Sequence, residues 1–173
     1  IGPSPETMDP ALNSTLDGGT MIMHCFEGLL KYGENGQVLP AMAESWEVSK
    51  DKVTWIFTLR EGLKWSDGKD LTSDDFVYAF KRLADPKTAA PYSYDMLNMV
   101  AGYEEASHGN LEALQVKATD EKRWLFSSTV LLLILIKLPL SLLWSLFERI
   151  SSRKRGNLGA QTLPLTSLTV HIR

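Results

Sequence analysis

The chain has 173 residues, of which 44% are hydrophobic and 23% are charged, and its formal net charge is -3. These values are typical of a soluble globular protein with one domain of ordinary size, with or without an appendage. They argue against a nucleic-acid binder, which needs a basic face to neutralise phosphates.

The two ends of the chain differ in charge. Residues 1–123 carry 20 acids and 12 bases, whereas residues 124–173 carry one acid and six bases, which gives net charges of -8 and +5. Opposite signs indicate two segments of different origin or role. The chain begins at Ile1 without a basic n-region or an apolar h-region, so we expect either a removed leader or a fragment of a longer protein.

The first third of the chain contains few regular patterns. Residues 1–20 are rich in Gly, Pro, Ser and Thr, which predicts an extended loop with turns at Asp9-Pro10 and Gly18-Gly19. The apolar stretch Met21–Lys31 has helical spacing, but its length also fits a buried strand. It ends at the turn signal of residues 33–36.

The stretch from Ala43 to Leu71 gives the clearest strand signal and holds three of the five tryptophans. Apolar residues alternate with others from Val53 to Leu59, and a short strand at Trp46–Val48 precedes a polar turn. This pattern predicts an antiparallel hairpin with one apolar face. The in-pattern Trp46 and Trp55 are interpreted as core residues, since a ligand-contacting role needs exposure.

A helix is predicted to follow, with Thr72 as its N-cap and Asp75 as its capping acid. Its apolar face ends at Asp85-Pro86, because the residue before proline avoids the helical region. Further short elements are then predicted: helices at 95–100 and 102–107, and strands at 115–118 and 124–126. The acids near residues 67–75 lack the spacing of a calcium loop and are interpreted as turn and helix-start residues.

No enzyme centre is predicted. His24, His108 and His171 lack ligand spacing to one another and to Cys25, so neither a metal nor a cofactor is expected. The best ligand-contact candidates from position alone are Tyr92 and Tyr94, in a loop between helices. Trp65, just before a turn, fits either role.

The run from Thr129 to Phe147 is almost entirely apolar and has three interpretations. It is a membrane span with basic flank 149–155, a buried core helix, or the product of reading a coding sequence in the wrong frame. Against a span, Lys137 lies in its middle, at a cost of about 2.5–3.5 kcal/mol on insertion scales.

A series of ordered short motifs, covering about residues 1–125, resembles a known family. They are Asp9-Pro10, Phe26-Glu27-Gly28-Leu29, Ala43-Glu44-Ser45-Trp46, Phe57-Thr58-Leu59-Arg60, Lys64-Trp65-Ser66-Asp67-Gly68, Leu71-Thr72, Asp75-Phe76-Val77, Asp85-Pro86, Ala90-Pro91-Tyr92 and Val116-Lys117-Ala118. Together they are similar to the oligopeptide-binding members of the family 5 extracytoplasmic solute-binding proteins, the capture components of ABC peptide importers.

The resemblance implies an α/β fold: part of the first lobe of a two-lobed periplasmic-binding-protein-type protein, with a small mixed sheet and short helices. It implies an oligopeptide ligand that pairs its backbone with the protein. The ligand contacts carried over are Asn13, Ser14, Thr15 and Leu16, a few residues after Asp-Pro, and Tyr92 of the Ala-Pro-Tyr segment. It also implies permease subunits as partners, a periplasmic or lipid-anchored extracytoplasmic location, and no enzymatic activity.

The resemblance stops near residue 125. We therefore expect two parts: residues 1–125 as the N-terminal part of a solute-binding domain, and residues 126–173 as a divergent, apolar and basic tail. The preferred hypothesis is a truncated peptide-binding protein with a frame-shifted tail, which would bind peptide weakly or not at all alone. The alternative is a membrane-anchored interaction module, with membrane contact through Thr129–Phe147.

Overall fold

In the computed structural model, residues 6–35 and 37–129 are described. The helices are α1 (Leu16–Cys25), α2 (Ser73–Ala84), α3 (Ser93–Leu97) and α4 (Tyr103–Ser107), with single 3₁₀ turns at Pro86–Thr88 and Leu111–Ala113. The strands are β1 (Leu30–Tyr32), β2 (Val38–Pro40), β3 (Ala43–Val48), β4 (Thr54–Leu59), β5 (Val116–Ala118) and β6 (Arg123–Ser127).

Four strands form the main sheet in the order β3-β4-β6-β5, with every neighbouring pair antiparallel, while β1 and β2 form a separate two-stranded sheet. The predicted hairpin of β3 and β4 is confirmed. In the register of the two central strands, Trp55 lies opposite Phe126 and Phe57 lies opposite Trp124. Because side chains alternate between faces, these four rings share one face of the sheet.

Helix α2 covers that aromatic face. Phe76 stacks on Trp124 with ring centroids 5.5 Å apart, and Phe80 lies 5.1 Å from the same ring. Asp75, as predicted, accepts a hydrogen bond of 3.0 Å from the backbone N–H of Thr72 at the start of this helix. Each fully buried aromatic side chain contributes about 1.5–3 kcal/mol of hydrophobic free energy, so this interface adds several such contributions to the stability of the fold.

Of the loop predicted for residues 1–20, the turn at Asp9-Pro10 is confirmed, but the turn at Gly18-Gly19 was wrong. Both glycines lie inside α1, which begins at Leu16 and ends at Cys25. Thr15 caps the helix by accepting the N–H of Gly18 at 3.2 Å, and this cap outweighs the poor helix propensity of glycine. The apolar spacing after Met21 does not continue as one helix, because Leu30 belongs to β1.

The tryptophans differ in their surroundings. Trp55 is buried as predicted, but Trp46 lies on the edge strand β3 and is only half-buried. Trp65, whose role the sequence left open, packs against the core and donates its indole N–H to Asp75 Oδ2 at 3.2 Å. Trp65 therefore stabilises the N-terminal turn of α2 through Asp75.

The sheet continues beyond residue 125, where the sequence predicted a domain boundary. Phe126 is buried in the core, Ser128 donates its backbone N–H to Val53 at 2.7 Å, and Thr129 donates to Met99 at 2.8 Å. Of the expected divergent tail, residues 126–173, the part from residue 130 onward, with most of the apolar run, lies outside the described residues. Within residues 6–35 and 37–129, no helix combines the length and hydrophobicity needed to cross a bilayer.

Candidate functional site

The segment of predicted ligand contacts follows a closed turn at Asp9-Pro10. The backbone carbonyl of Asp9 accepts the N–H groups of Leu12 at 3.0 Å and Asn13 at 2.7 Å, and its carboxylate accepts the N–H of Ala11 at 3.0 Å. Ala11 is buried in the core. The turn therefore fixes the chain direction immediately before Asn13.

The side chain of Asn13 links this turn to helix α1. Its Oδ1 accepts from Thr15 Oγ1 at 3.1 Å, and its Nδ2 donates to the Thr15 carbonyl at 3.0 Å. Asn13 therefore holds Thr15 in place, and Thr15 in turn caps the helix. Between them, Ser14 is exposed, and its backbone N–H and carbonyl have no hydrogen-bond partner among the residues described. This stretch of main chain is available to a ligand.

Tyr92 is placed by a rigid connection from the end of α2. Asp85 caps the 3₁₀ turn Pro86–Thr88 by accepting the N–H of Lys87 at 2.9 Å, and Ala89 reverses the chain in the left-handed conformation. Tyr92 then forms the N-cap of α3 and remains 43% exposed. Tyr94 is 65% exposed but turns toward Tyr103, with ring centroids 6.3 Å apart.

Helices α1 and α3 face each other across a cavity of about 300 Å³. This volume lies at the lower end of the range of small-ligand sites, about 300–1,000 Å³. Ten residues line the cavity: Pro10, Asn13, Thr15, Leu16, Gly19, Thr20, Ile22, Met23, Tyr92 and Met96. None of the ten is charged, so the cavity suits neutral and apolar groups.

Four of the five predicted contact residues line this one cavity: Asn13, Thr15, Leu16 and Tyr92. Tyr92 lies far from the other three in the sequence. Ser14 does not line it and faces solvent beside it. The sequence prediction missed Met23 and Met96, which complete the walls. Their apolar character was visible in the sequence, but no local pattern indicates that α1 and α3 come together.

The described residues offer no metal centre, since no three or more His, Cys, Asp or Glu side chains among them are grouped closely enough to hold an ion. Cys25 is exposed at the end of α1, and His108 bonds the carbonyl of Glu104 in its own helix. His171 lies outside the described residues.

Comparison with known protein families gives a match to the bacterial extracellular solute-binding proteins, family 5 Middle, over residues 37–126. The chain belongs to this family. Proteins of the family bind solutes and are not enzymes, in agreement with the sequence prediction. Residues 37–126 include the main sheet, α2 and Tyr92, whereas the Asn13–Leu16 segment precedes them.

Curated relatives align over longer stretches than the family match. The periplasmic oligopeptide-binding protein OppA of Salmonella typhimurium is 41% identical over 123 residues, which cover 69% of this chain and 22% of that protein. The probable deoxycholate-binding periplasmic protein YgiS of Escherichia coli is 39% identical over 129 residues, which cover 68% of this chain and 23% of that protein. The chain therefore spans less than a quarter of the length of these relatives.

Solved structures confirm the fold class. The murein tripeptide binding protein MppA of Escherichia coli superposes with a TM-score of 0.80 at 30% identity, over 91% of this chain and 33% of that one. The Haemophilus influenzae OppA complex with the peptide RPPGFSPFR superposes with a TM-score of 0.78 at 32% identity, over 91% of this chain and 31% of that one. The chain is thus part of a periplasmic-binding-protein-type α/β fold, with small sheets and short helices.

Proposed function

We propose that this chain forms one wall of the peptide-binding cleft of an extracytoplasmic solute-binding protein that serves an ABC importer. One observation carries the proposal: the Asn13–Leu16 segment and Tyr92, distant in sequence, meet at a single uncharged cavity. Beside this cavity, Ser14 offers a backbone N–H and carbonyl that no other described residue pairs with. An extended peptide recognises such groups through main-chain hydrogen bonds, which are the same for every sequence.

The ligand class is taken to be an oligopeptide. Of the four proteins named above, three carry peptide-binding names or titles, while the fourth carries a deoxycholate-binding name. A bile acid needs a broad apolar surface and little main-chain pairing, whereas a peptide uses both a backbone partner and small neutral pockets. Among the described residues, the backbone of Ser14 next to the cavity of about 300 Å³ has no partner, which favours an oligopeptide over a bile acid as the ligand.

The proposal concerns one side of a cleft. Most of each relative's length has no counterpart in this chain, so the remaining ligand contacts and the contacts with permease subunits would come from elsewhere in a longer protein. We therefore expect trialanine to bind this chain with a dissociation constant weaker than micromolar. Isothermal titration that gives micromolar or tighter binding would contradict this expectation.

The contact surface is tested by titrating the full chain with trialanine, up to about 10 mM, and recording amide chemical shifts. We expect shifts confined to Asn13–Leu16 and to the start of α3. Tyr92→Ala is expected to abolish them, while Tyr94→Ala, which alters another exposed tyrosine of the same segment, retains them. The absence of shifts in the wild-type chain, or identical losses in both variants, would reject the peptide-binding role of this surface.

Deoxycholate in place of trialanine separates the two ligand classes. Under the peptide proposal it produces no saturable shifts at Ser14 below its micellar concentration. Saturable shifts with deoxycholate and none with trialanine would assign the surface to the bile-acid class instead.

A second candidate rests on the sequence of Thr129–Phe147, whose apolar length suits a membrane span. In that case residues 1–125 act as the head of a membrane-anchored interaction module. Protease protection of the segment in inserted vesicles would support this candidate, and complete digestion would reject it.

A further inference from the structure

A buried ion pair ties the candidate ligand segment to helix α2. Arg82 donates from Nη2 to Asp9 Oδ2 at 2.6 Å and from Nη1 to Asp9 Oδ1 at 3.2 Å, across 73 positions of sequence. Only 9% of the arginine side chain and 11% of the aspartate side chain are exposed. The two parallel contacts are the bidentate geometry in which arginine fixes both the position and the plane of a carboxylate.

Asp9 passes this constraint on to the ligand segment. Its carboxylate accepts the N–H of Ala11, and its carbonyl accepts the N–H groups of Leu12 and Asn13. Asn13 then holds Thr15. Hydrogen bonds therefore run without a gap from the guanidinium of Arg82 to the residues that line the cavity.

The opposite wall starts from the same end of α2. Arg82 lies in the last turn of this helix, and Asp85, its C-cap, begins the rigid connection to Tyr92. The Tyr92 wall is thus attached to the C-terminal end of α2 through the chain itself, and the Asn13 wall is attached through the ion pair. The distance between Asn13 and Tyr92 depends on both attachments.

The energetics also favour a positioning role. Burying two charges costs several kcal/mol in desolvation, so a buried ion pair adds little net stability compared with apolar residues of the same volume. The ion pair instead fixes geometry. An unpaired carboxylate is strongly unfavourable at this position, so any placement of the turn that separates Asp9 from Arg82 is disfavoured.

We propose that Arg82 is a positioning residue, which sets the Asn13–Leu16 segment at the correct distance from Tyr92 without touching the ligand. The expected effect of Arg82 on peptide affinity rests on the proposed peptide-binding function. The geometric consequence, the rigidity of residues 11–13, is independent of any ligand.

The test uses the full chain with Arg82→Lys, which keeps the charge but loses the bidentate contact. We expect amide hydrogen exchange at Leu12 and Asn13 to accelerate tenfold or more, while exchange in β4 and β6 stays unchanged. Trialanine affinity is expected to fall at least threefold. Lys81→Met is the matched control, because Lys81 is the neighbouring cation and pairs with the exposed Glu112 at 2.7 Å; it should change neither quantity.

Unchanged exchange at Leu12 and Asn13 in Arg82→Lys would overturn the proposal, as would an acceleration matched in β4 and β6. If Arg82→Lys does not fold, Asp9→Asn takes its place with the same criteria. Failure of both to fold would make the pair a determinant of the whole fold and also reject the positioning role. If wild-type chain binds no trialanine, the proposed function fails, while the exchange result still decides whether Arg82 fixes the segment.

Discussion

Gly18 has no room for a side chain. A Cβ atom there would lie 2.0 Å from Asn13 Oδ1 and 2.9 Å from Thr15 Oγ1, both of which are engaged in the cap of α1. Gly19, one position later, would place its Cβ 3.7 Å from Asn13 Nδ2, which is an ordinary contact. A side chain therefore clashes at Gly18 but fits at the adjacent Gly19.

We expect Gly18→Ala to destabilise the fold by about 1–3 kcal/mol, because the added methyl group displaces the Asn13 side chain. Gly19→Ala should stabilise it by about 0.5–1 kcal/mol, since alanine loses less entropy than glycine in a helix. Urea unfolding monitored by circular dichroism measures both changes. Equal effects of the two substitutions would show that the close approach of Asn13 does not control this position.

The residue scale is also where sequence-based prediction reached its limit. The family resemblance supplied Asn13, Ser14, Thr15, Leu16 and Tyr92 as predicted contacts because each lies in or beside a recognisable short motif, and all but Ser14 line the cavity. It did not supply the link from Asp9 to Arg82, because a pair separated by 73 positions leaves no local pattern. Such pairs become visible only when the fold brings their elements together.

At the scale of elements, the turn between β3 and β4 contains a carboxylate with an altered pKa. Ser49 donates its hydroxyl to Asp51 Oδ1, and Val53 donates its backbone N–H to the same oxygen at 3.2 Å. These bonds, the Ser49 hydroxyl foremost, hold the pKa of Asp51 below its ordinary value of 3.8. Both stabilise the charged form.

The folded pKa of Asp51 is lower than the unfolded one, so its contribution to stability is present above the unfolded pKa and is lost as pH falls through the folded pKa. We expect NMR titration of the Asp51 carboxyl to give a pKa below 3.8. Ser49→Ala should raise it, whereas Lys50→Gln, which removes no bond to the carboxylate, should not. An unchanged pKa in Ser49→Ala would contradict this assignment.

The start of α2 gives a second element-scale prediction. Asp75 accepts from both the Thr72 backbone and the Trp65 indole, so Asp75→Ala leaves two donors without their acceptor. We expect a loss of about 1.5–3 kcal/mol, from the helix cap and the unsatisfied groups together. Asp74→Ala, at the exposed neighbour, should cost about 0.3–1 kcal/mol.

Chemical unfolding measures these losses, and the tryptophan fluorescence should shift to longer wavelength only in Asp75→Ala, because Trp65 loses its acceptor there. Equal costs at the two aspartates would show that the shared hydrogen bonds contribute nothing beyond helix-dipole electrostatics.

Elements were predictable where a repeating pattern and a cap agreed. The alternation in β4 and the Thr72–Asp75 signal gave their elements almost at the observed bounds. Helix α1 was missed because its two glycines are usually turn residues, and here the hydrogen bonds of Asn13 and Thr15 override that preference. The pairing of β4 with β6 had no sequence signal, since a strand's own pattern does not specify its neighbour.

At the scale of the whole molecule, the last described residues are needed to complete the core. Phe126 stacks against Trp55, Phe57 and Phe80, and residues 127–129 continue the bonds to the loops beside the sheet. We expect a chain that ends at Thr129 to retain the native far-UV spectrum and dispersed amide resonances.

A chain that ends at Leu125 should lose about 3–5 kcal/mol, the cost of removing a buried aromatic side chain. This is a large part of the 5–15 kcal/mol that stabilises an ordinary domain, so the shorter chain is expected to be largely unfolded at 37 °C. Equal stability of the two truncated chains would place the functional end of the domain at residue 125, as the sequence alone predicted.

The place of β6 in the sheet has a consequence for the order of folding. It is a central strand, yet it is the final strand in the described part of the chain. During synthesis, the edge of β4 that later pairs with β6 keeps its backbone N–H and C=O groups unpaired until β6 emerges, and pairing across such a long loop is slow. Newly made chains therefore pass through a period in which this edge can pair with another copy, and a chaperone that holds extended segments would act during that interval.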